Sequence, residues 1–237
     1  MFLAQARECG NLYVETELCT RMNLFWLAVD EPDEGERNAI DVMERWSHRG
    51  LYRQHYGYMR ACVQTELYRG RADIAWRLMT EHRSALRRML VLQLQLFRVE
   101  TSYLRARCAL AMAAASPNAS THARARRRFL AMARHEARRI ASENMQWANP
   151  IAHLVGAAVA YLEGESLLAT GLLAEAIDGF DVADMHLYAA VARRRLGTLL
   201  GGSHGHELLR QADEWMTSRT IRNPHHMTRL FAPGFDD

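Results

Sequence analysis

The sequence predicts an all-α protein made of antiparallel helix hairpins stacked side by side. Three observations carry this. Glycine (14) and proline (5) are sparse for 237 residues, whereas strand-rich chains spend many more residues on turns. Ala, Leu, Arg, Glu and Met dominate, and all are good helix formers. Apolar residues recur at steps of three and four along most of the chain, with no strand–helix alternation. A hydrophobic fraction of 49% supplies a core, and 24% charged residues is ordinary for a soluble protein.

Taken in order, the first helix covers about Asn11–Val29 and stops at Asp30-Glu31-Pro32-Asp33, where Pro32 forbids simple continuation. A second runs from about Glu34 to Trp46, with Gly50 at the break. The third, about Leu51–Tyr68, places Tyr52, Tyr56, Met59, Val63 and Leu67 on one face. Gly70 ends it, and a shorter helix spans about Ala72–Glu81. A long helix is expected over about Ser84–Ala115 on the stripe Leu86, Leu90, Leu94, Phe97, Thr101, Leu104, Cys108 and Ala111. Within it, Leu92-Gln93-Leu94-Gln95-Leu96 also alternates as a strand would.

Ser116-Pro117-Asn118 reads as a loop, and Ser120 or Thr121 as the cap of a helix reaching about Ser142. Its buried face is expected at Phe129, Ala133, Ala137 and Ile140. Asn149-Pro150 opens a helix to Glu163, and Gly164 turns the chain into Glu165–Val182. Asp184 is expected to cap Met185–Leu200. Gly201-Gly202-Ser203 is a loop before Gly205–Thr217. Asn223-Pro224 caps a last short helix, and Ala232-Pro233-Gly234 is expected to end the ordered chain. The result is a series of about ten helices.

Small residues recur within this series. Gly70 is followed by Ala75, and Gly164 by Ala169 and Ala176. Apolar pairs precede an alanine at Phe129-Leu130/Ala133, Leu172-Leu173/Ala176 and Leu208-Leu209/Ala212, the alanines lying 43 and 36 residues apart. The Gly-to-Ala spacing within a hairpin is that of a tetratricopeptide unit, in which small residues let paired helices approach closely. The expectation is a single tetratricopeptide-like domain over 1–237, a degenerate superhelix with a sub-boundary near 116–120. A non-repeating bundle is the alternative.

A net charge of +3, with Arg heavily favoured over Lys, is too mild to imply nucleic acid. Cys9, Cys19, Cys62 and Cys108 form no C-x-x-C pair and read as small buried hydrophobes in a reducing compartment. No secretory signal or membrane-spanning run is readable, so a cytoplasmic location is expected.

Candidate chemistry is thin. His204, His206, His225 and His226 lack metal-ligand spacing. Asp30–Asp41 resembles a calcium loop, but Pro32 occupies a ligand position and the bidentate Glu is missing. No cofactor or metal site is expected. Two candidate protein-contact surfaces remain. One is the polar-aromatic cluster Trp46, His48, Gln54, His55 and Tyr56, read either as a peptide-binding spot or as a packed corner between hairpins. The other is the basic helix bearing Arg124, Arg126, Arg127, Arg128, Arg134, Arg138 and Arg139, with Arg193-Arg194-Arg195 as a second patch. Arg124, Arg127 and Arg128 are its candidate contacts, for an acidic protein surface or for phosphates, the alternative being a solvated helix face paired with nearby Glu.

Trp46-Ser47-His48-Arg49-Gly50, Gln54-His55-Tyr56, Leu67-Tyr68-Arg69-Gly70, Ile221-Arg222-Asn223-Pro224, Met227-Thr228 and Ala232-Pro233-Gly234-Phe235 resemble one family. It is the C-terminal tetratricopeptide-like region of large bacterial multidomain Ser/Thr protein kinases, in which a kinase domain and a signalling NTPase module precede the helical repeats. The resemblance spans about Glu15 to Phe235. It implies a bacterial helical sensor or scaffold whose partners are a protein or peptide, or associated kinase and NTPase domains. It carries over no activity, because the kinase motifs and the phosphate loop are absent. The expectation is a non-catalytic protein-interaction scaffold or sensor. The alternatives are a DNA-associated regulator using the arginine helices, and an enzyme with acids and histidines gathered in a pocket.

Overall fold

Helix boundaries follow local chemistry. In the computed structural model, residues 2–47, 50, 52–82, 84, 90–116 and 123–236 are described. Regular structure among them is helical throughout. The helices are α1 (Phe2–Glu8), α2 (Leu12–Thr20), α3 (Leu24–Ala28), α4 (Pro32–Arg45), α5 (Arg53–Arg69), α6 (Ala72–Glu81), α7 (Gln95–Ala115), α8 (Ala123–Ser142), α9 (Asn149–Leu162), α10 (Ser166–Val182), α11 (His186–Leu200), α12 (Gly202–Ser218) and α13 (Pro224–Phe231), with a 3₁₀ turn at Leu90–Gln93. Pro32, Pro150 and Pro224 each sit in a first turn, where their missing N–H costs nothing. Asn11 and Asn223 cap α2 and α13 by accepting from Val14 N and His226 N, each at 3.1 Å. Gly70 closes α5 at φ +78°.

Consecutive helices pack as neighbours: α7 with α8, α8 with α9, α9 with α10, α10 with α11 and α11 with α12. The alanines of the repeat pattern sit in these joints. Ala75, Ala133, Ala169, Ala176 and Ala212 are at most 1% exposed. One hydrophobic core runs from Leu27 to Phe235, and a satellite of Cys19, Val42 and Met43 holds the N-terminal helices. Among the described residues no helix is long and apolar enough to cross a membrane.

Several expectations need correction. The helix expected over Asn11–Val29 is two, α2 and α3, preceded by an unexpected α1. Asn23 at the break is buried and donates to Ala61 O and to Thr65 Oγ1, both at 3.3 Å, so its amide serves α5 and not its own helix. The long helix expected from Ser84 is interrupted. Leu94 is extended (φ −82°, ψ 128°) and 59% exposed, between the 3₁₀ turn and α7. Arg98 pins that break by donating to Gln93 O at 2.7 Å while forking onto Glu143. The Gln–Leu alternation is therefore neither strand nor continuous helix. Leu86, the caps Ser120 and Thr121, and the sub-boundary at 117–120 lie outside the described residues. Asn149 is the first residue of α9 and not its cap. Asp184 does not cap α11; it is the left-handed turn residue (φ +54°) before Met185. Cys9 is exposed, whereas Cys19 and Cys108 are buried. Burial pushes the Cys108 thiol up to about 12.

The largest departure is at the C-terminus. Ala232-Pro233-Gly234, expected to end the order, is buried, and it shares the core with Met227, Leu230 and Phe231 of α13 and with Phe235. This C-terminal segment lies along an inner row formed by α5, α7, α9 and α11, each of which supplies a contact to it. The even-numbered helices α6, α8, α10 and α12 alternate with these and bury fewer of their residues, an outer row of which α12 also touches α13.

Candidate functional site

The structure separates the members of the polar-aromatic cluster. Trp46 ends α4 half-buried in the satellite core, its ring 6.4 Å from that of Tyr13. Gln54 is buried in the first turn of α5. His55 accepts from Tyr52 N at 3.1 Å through Nδ1 and stacks on the Tyr52 ring, which organises the start of α5. Tyr56 points into the main core, edge-on to Phe97 at 5.2 Å, with its hydroxyl 3.3 Å from Glu100. His48 lies outside the described residues. Trp46, Gln54 and Tyr56 thus serve packing between hairpins and do not converge on one open surface.

Residues 221–236 cover the inner row. Three carbonyls at and just beyond the end of α13 meet donors from that row. Arg107 Nη1 donates to Leu230 O at 3.2 Å, Tyr103 Oη to Phe231 O at 2.6 Å, and Arg195 Nε to Ala232 O at 3.0 Å. The guanidiniums also lie over aromatic rings. Arg107 lies over Tyr103 at 4.4 Å and over Phe231 at 5.6 Å, and Arg195 lies over Phe235 at 5.3 Å. Arg229 returns a bond to Tyr68 O at 2.6 Å, and Tyr161 donates to Asp236 at 2.6 Å. At the other end, Arg222 N donates to Ala28 O at 2.8 Å. Asp30 accepts from Tyr68 at 2.6 Å and from Asn223 at 3.3 Å, and the Tyr68 bond chiefly holds its carboxyl below the usual range.

Sequence reasoning missed Arg107 and misassigned Arg195. The one signal for Arg107 is its place, two residues after Arg105, directly before the apolar run Cys108–Ala115. The Arg193-Arg194-Arg195 patch does not exist as a surface. Arg193 pairs with Asp181 and Arg194 with Asp213, while Arg195 is 2% exposed.

The basic helix does present a surface. Arg124, Arg127, Arg128, Ala131, His135 and Arg138 are all exposed and follow helical spacing along one stripe of α8. Arg134 pairs with Glu163, Arg139 with the fully buried Glu136, and Arg126 donates to Leu162 O. Arg124, Arg127, Arg128 and Arg138 have no carboxylate partner among the described residues. Four guanidiniums on one face, with no counter-charge, favour an anionic partner.

Two concavities lie away from this stripe. One, of about 110 Å³ beside α13, is walled by Leu67, Gly70, Ala111, Arg195, Arg229 and Gly234 among others, with no carboxylate or imidazole in its wall. The other, near α1 and α2, contains Glu15, whose carboxylate is already held by Arg7 at 2.8 Å and Arg45 at 2.7 Å. Among the described residues no group of three His, Cys, Asp or Glu side chains is placed to hold a metal. Compared with known protein families, curated proteins and solved structures, the chain matches none.

Proposed function

We propose that the chain is a non-catalytic protein-interaction scaffold or sensor module. On this reading it is a tetratricopeptide-like superhelix serving a bacterial signalling system built around a Ser/Thr kinase and an NTPase. Its contact surface is the outer face of α8, and its partner is an acidic protein surface. The observation that carries the reading is the stripe of exposed arginines without carboxylate partners. The stacked hairpins support it, since such arrays bind through extended surfaces. The covered inner row supports the outer face as the contact surface, because a peptide cannot enter where residues 221–236 already lie.

Fluorescence anisotropy with a labelled Glu-rich peptide tests this. Binding is expected at low salt, weakening as salt rises, and is expected to be lost in Arg124→Glu/Arg127→Glu/Arg128→Glu. Duplex DNA is the informative control, because the same arginines suit phosphates. DNA binding with a steep salt slope, and no peptide binding, would move the reading to a DNA-associated regulator.

A further inference from the structure

We infer that the acidic partner is a second copy of this chain, bound two-fold, with α8 of each copy lying antiparallel on α10 of the other. The inference rests on the acidic-partner reading above and gives that partner an identity.

The first observation is charge. Residues 163–184 contain Glu163, Glu165, Glu175, Asp178, Asp181 and Asp184 and no basic residue. Some of these are engaged within the chain: Glu163 with Arg134, Asp181 with Arg193, Glu175 with His153 at 3.5 Å and Asp184 with His186 at 3.9 Å. Glu175 and Asp178 stay exposed. The outer row therefore shows a positive helix and a negative helix, α8 and α10, on either side of α9, which packs against both. A surface of this pattern complements itself when rotated by a half-turn, the requirement of an isologous interface.

The second observation is polarity along each helix. In α8 the arginines crowd the N-terminal end, with no acid in the first turn. In α10 the acids crowd the C-terminal end, with no base in the last turn. The N-terminal arginines of α8 and the C-terminal acids of α10 oppose the helix dipole, which favours anions at the N-terminus and cations at the C-terminus, whereas Arg139 and the N-cap residue Glu165 at the opposite ends follow it. The two opposed ends are locally disfavoured, and a partner of opposite charge relieves both. Such a conflict between local preference and fold marks sites kept for another purpose.

The third observation is register. Successive antiparallel hairpins make α8 and α10 run in the same direction, so a half-turn lays α8 of one copy antiparallel on α10 of the other. Arg124, Arg127 and Arg128 then meet Glu175 and Asp178, and Arg138 meets the start of α10. There Leu167 is 88% and Leu168 51% exposed, apolar surface suited to an arginine stem. The helices match in length, 20 and 17 residues. The cations are arginine, as are all 30 Lys or Arg residues of the chain, and the planar guanidinium fork suits interfacial carboxylates.

Sedimentation of the full chain tests this, with circular dichroism confirming that each variant folds. The parent is expected to dimerise, with a dissociation constant rising at least about tenfold as salt goes from about 0.1 M to about 1 M and screening shortens. Arg124→Glu/Arg127→Glu/Arg128→Glu and Glu175→Arg/Asp178→Arg are each expected to be monomeric alone. Mixed, they restore both contacts and form a one-to-one dimer. The milder pair Arg127→Gln and Asp178→Asn is expected to weaken the parent dimer if a reversed variant fails to fold. A parent that stays monomeric at low salt, or a mixture that stays monomeric, overturns the inference. Open-ended assemblies overturn the two-fold arrangement. A monomer that still binds the Glu-rich peptide through Arg124, Arg127 and Arg128 sinks self-pairing alone; one that binds neither removes both readings.

Discussion

At Gly197 the backbones of α11 and α12 come together. A Cβ there would lie 2.7 Å from Gly205 O, and one on Gly205 would lie 2.4 Å from Gly197 O. Neither contact has a flexible side-chain end to move aside, so the helices themselves would have to separate. Gly197→Ala is expected to lower stability by about 3 kcal/mol or more, by the overpacking mechanism. Gly171 is its control. It lies in the exposed middle of α10, and a methyl group added there would meet nothing within 4 Å. Gly171→Ala is therefore expected to raise stability by about 0.5–1 kcal/mol through helix propensity alone. Urea denaturation of both variants checks the pair, and equal effects would refute the close approach. Composition cannot distinguish these two glycines. Both lie within helical patterns, and only tertiary packing reveals which one another backbone touches.

At the scale of the element, α1, α2 and α4 are joined through one carboxylate. Glu15 on α2 is 2% exposed and accepts from Arg7 of α1 at 2.8 Å and from Arg45 of α4 at 2.7 and 3.0 Å. The Arg45 bond chiefly, with Arg7, holds its carboxyl below the usual range against the opposing effect of burial. The folded value lies below the unfolded value of about 4.3. Its contribution is therefore present above the unfolded value and is lost as pH falls through the folded one. Glu15→Gln is expected to cost about 2–3 kcal/mol at pH 7, less than a fully buried pair because both arginines are half exposed. The gap from the parent should close as pH drops below about 4; a gap independent of pH would show that shape, not charge, matters there. These elements also show where the sequence was readable. The Ala72–Glu81 helix falls where its spacing predicts, and Pro32, Pro224 and Gly70 mark real boundaries. The breaks at Asn23 and Leu94 were invisible because a partner distant in sequence causes each, α5 for the first and Glu143 for the second.

Across the whole molecule, the candidate surfaces divide by the same rule. The arginine stripe of α8 was legible because exposure follows from helical spacing and an excess of charge. The clasp formed by residues 221–236 was legible only as the short helix after Asn223-Pro224; its burial was not, because Ala232-Pro233-Gly234 reads locally as the end of the ordered chain. Its burial depends on Tyr103, Arg107 and Arg195, far away in sequence. The clasp also changes how the array should unfold. Stacked hairpins alone are coupled only to their neighbours, so they tend to lose structure piecemeal. Here one segment touches Ala28 near one end and Arg195 in α11 near the other, which couples distant hairpins directly. The full chain is therefore expected to melt in a single transition in which calorimetric and van't Hoff enthalpies agree. Ending the chain after Thr220 removes Met227, Leu230, Phe231 and Phe235 from the core, a loss of about 6 kcal/mol or more at roughly 1.5–3 kcal/mol for each large side chain. It also uncovers the buried Arg107 and Tyr103. The shortened chain should bind a hydrophobic dye and melt in at least two steps, the N-terminal helices separating from α7–α12. A shortened chain that keeps one transition at the parent midpoint would show that neighbour contacts alone hold the array, and that the segment covers the inner row without coupling it.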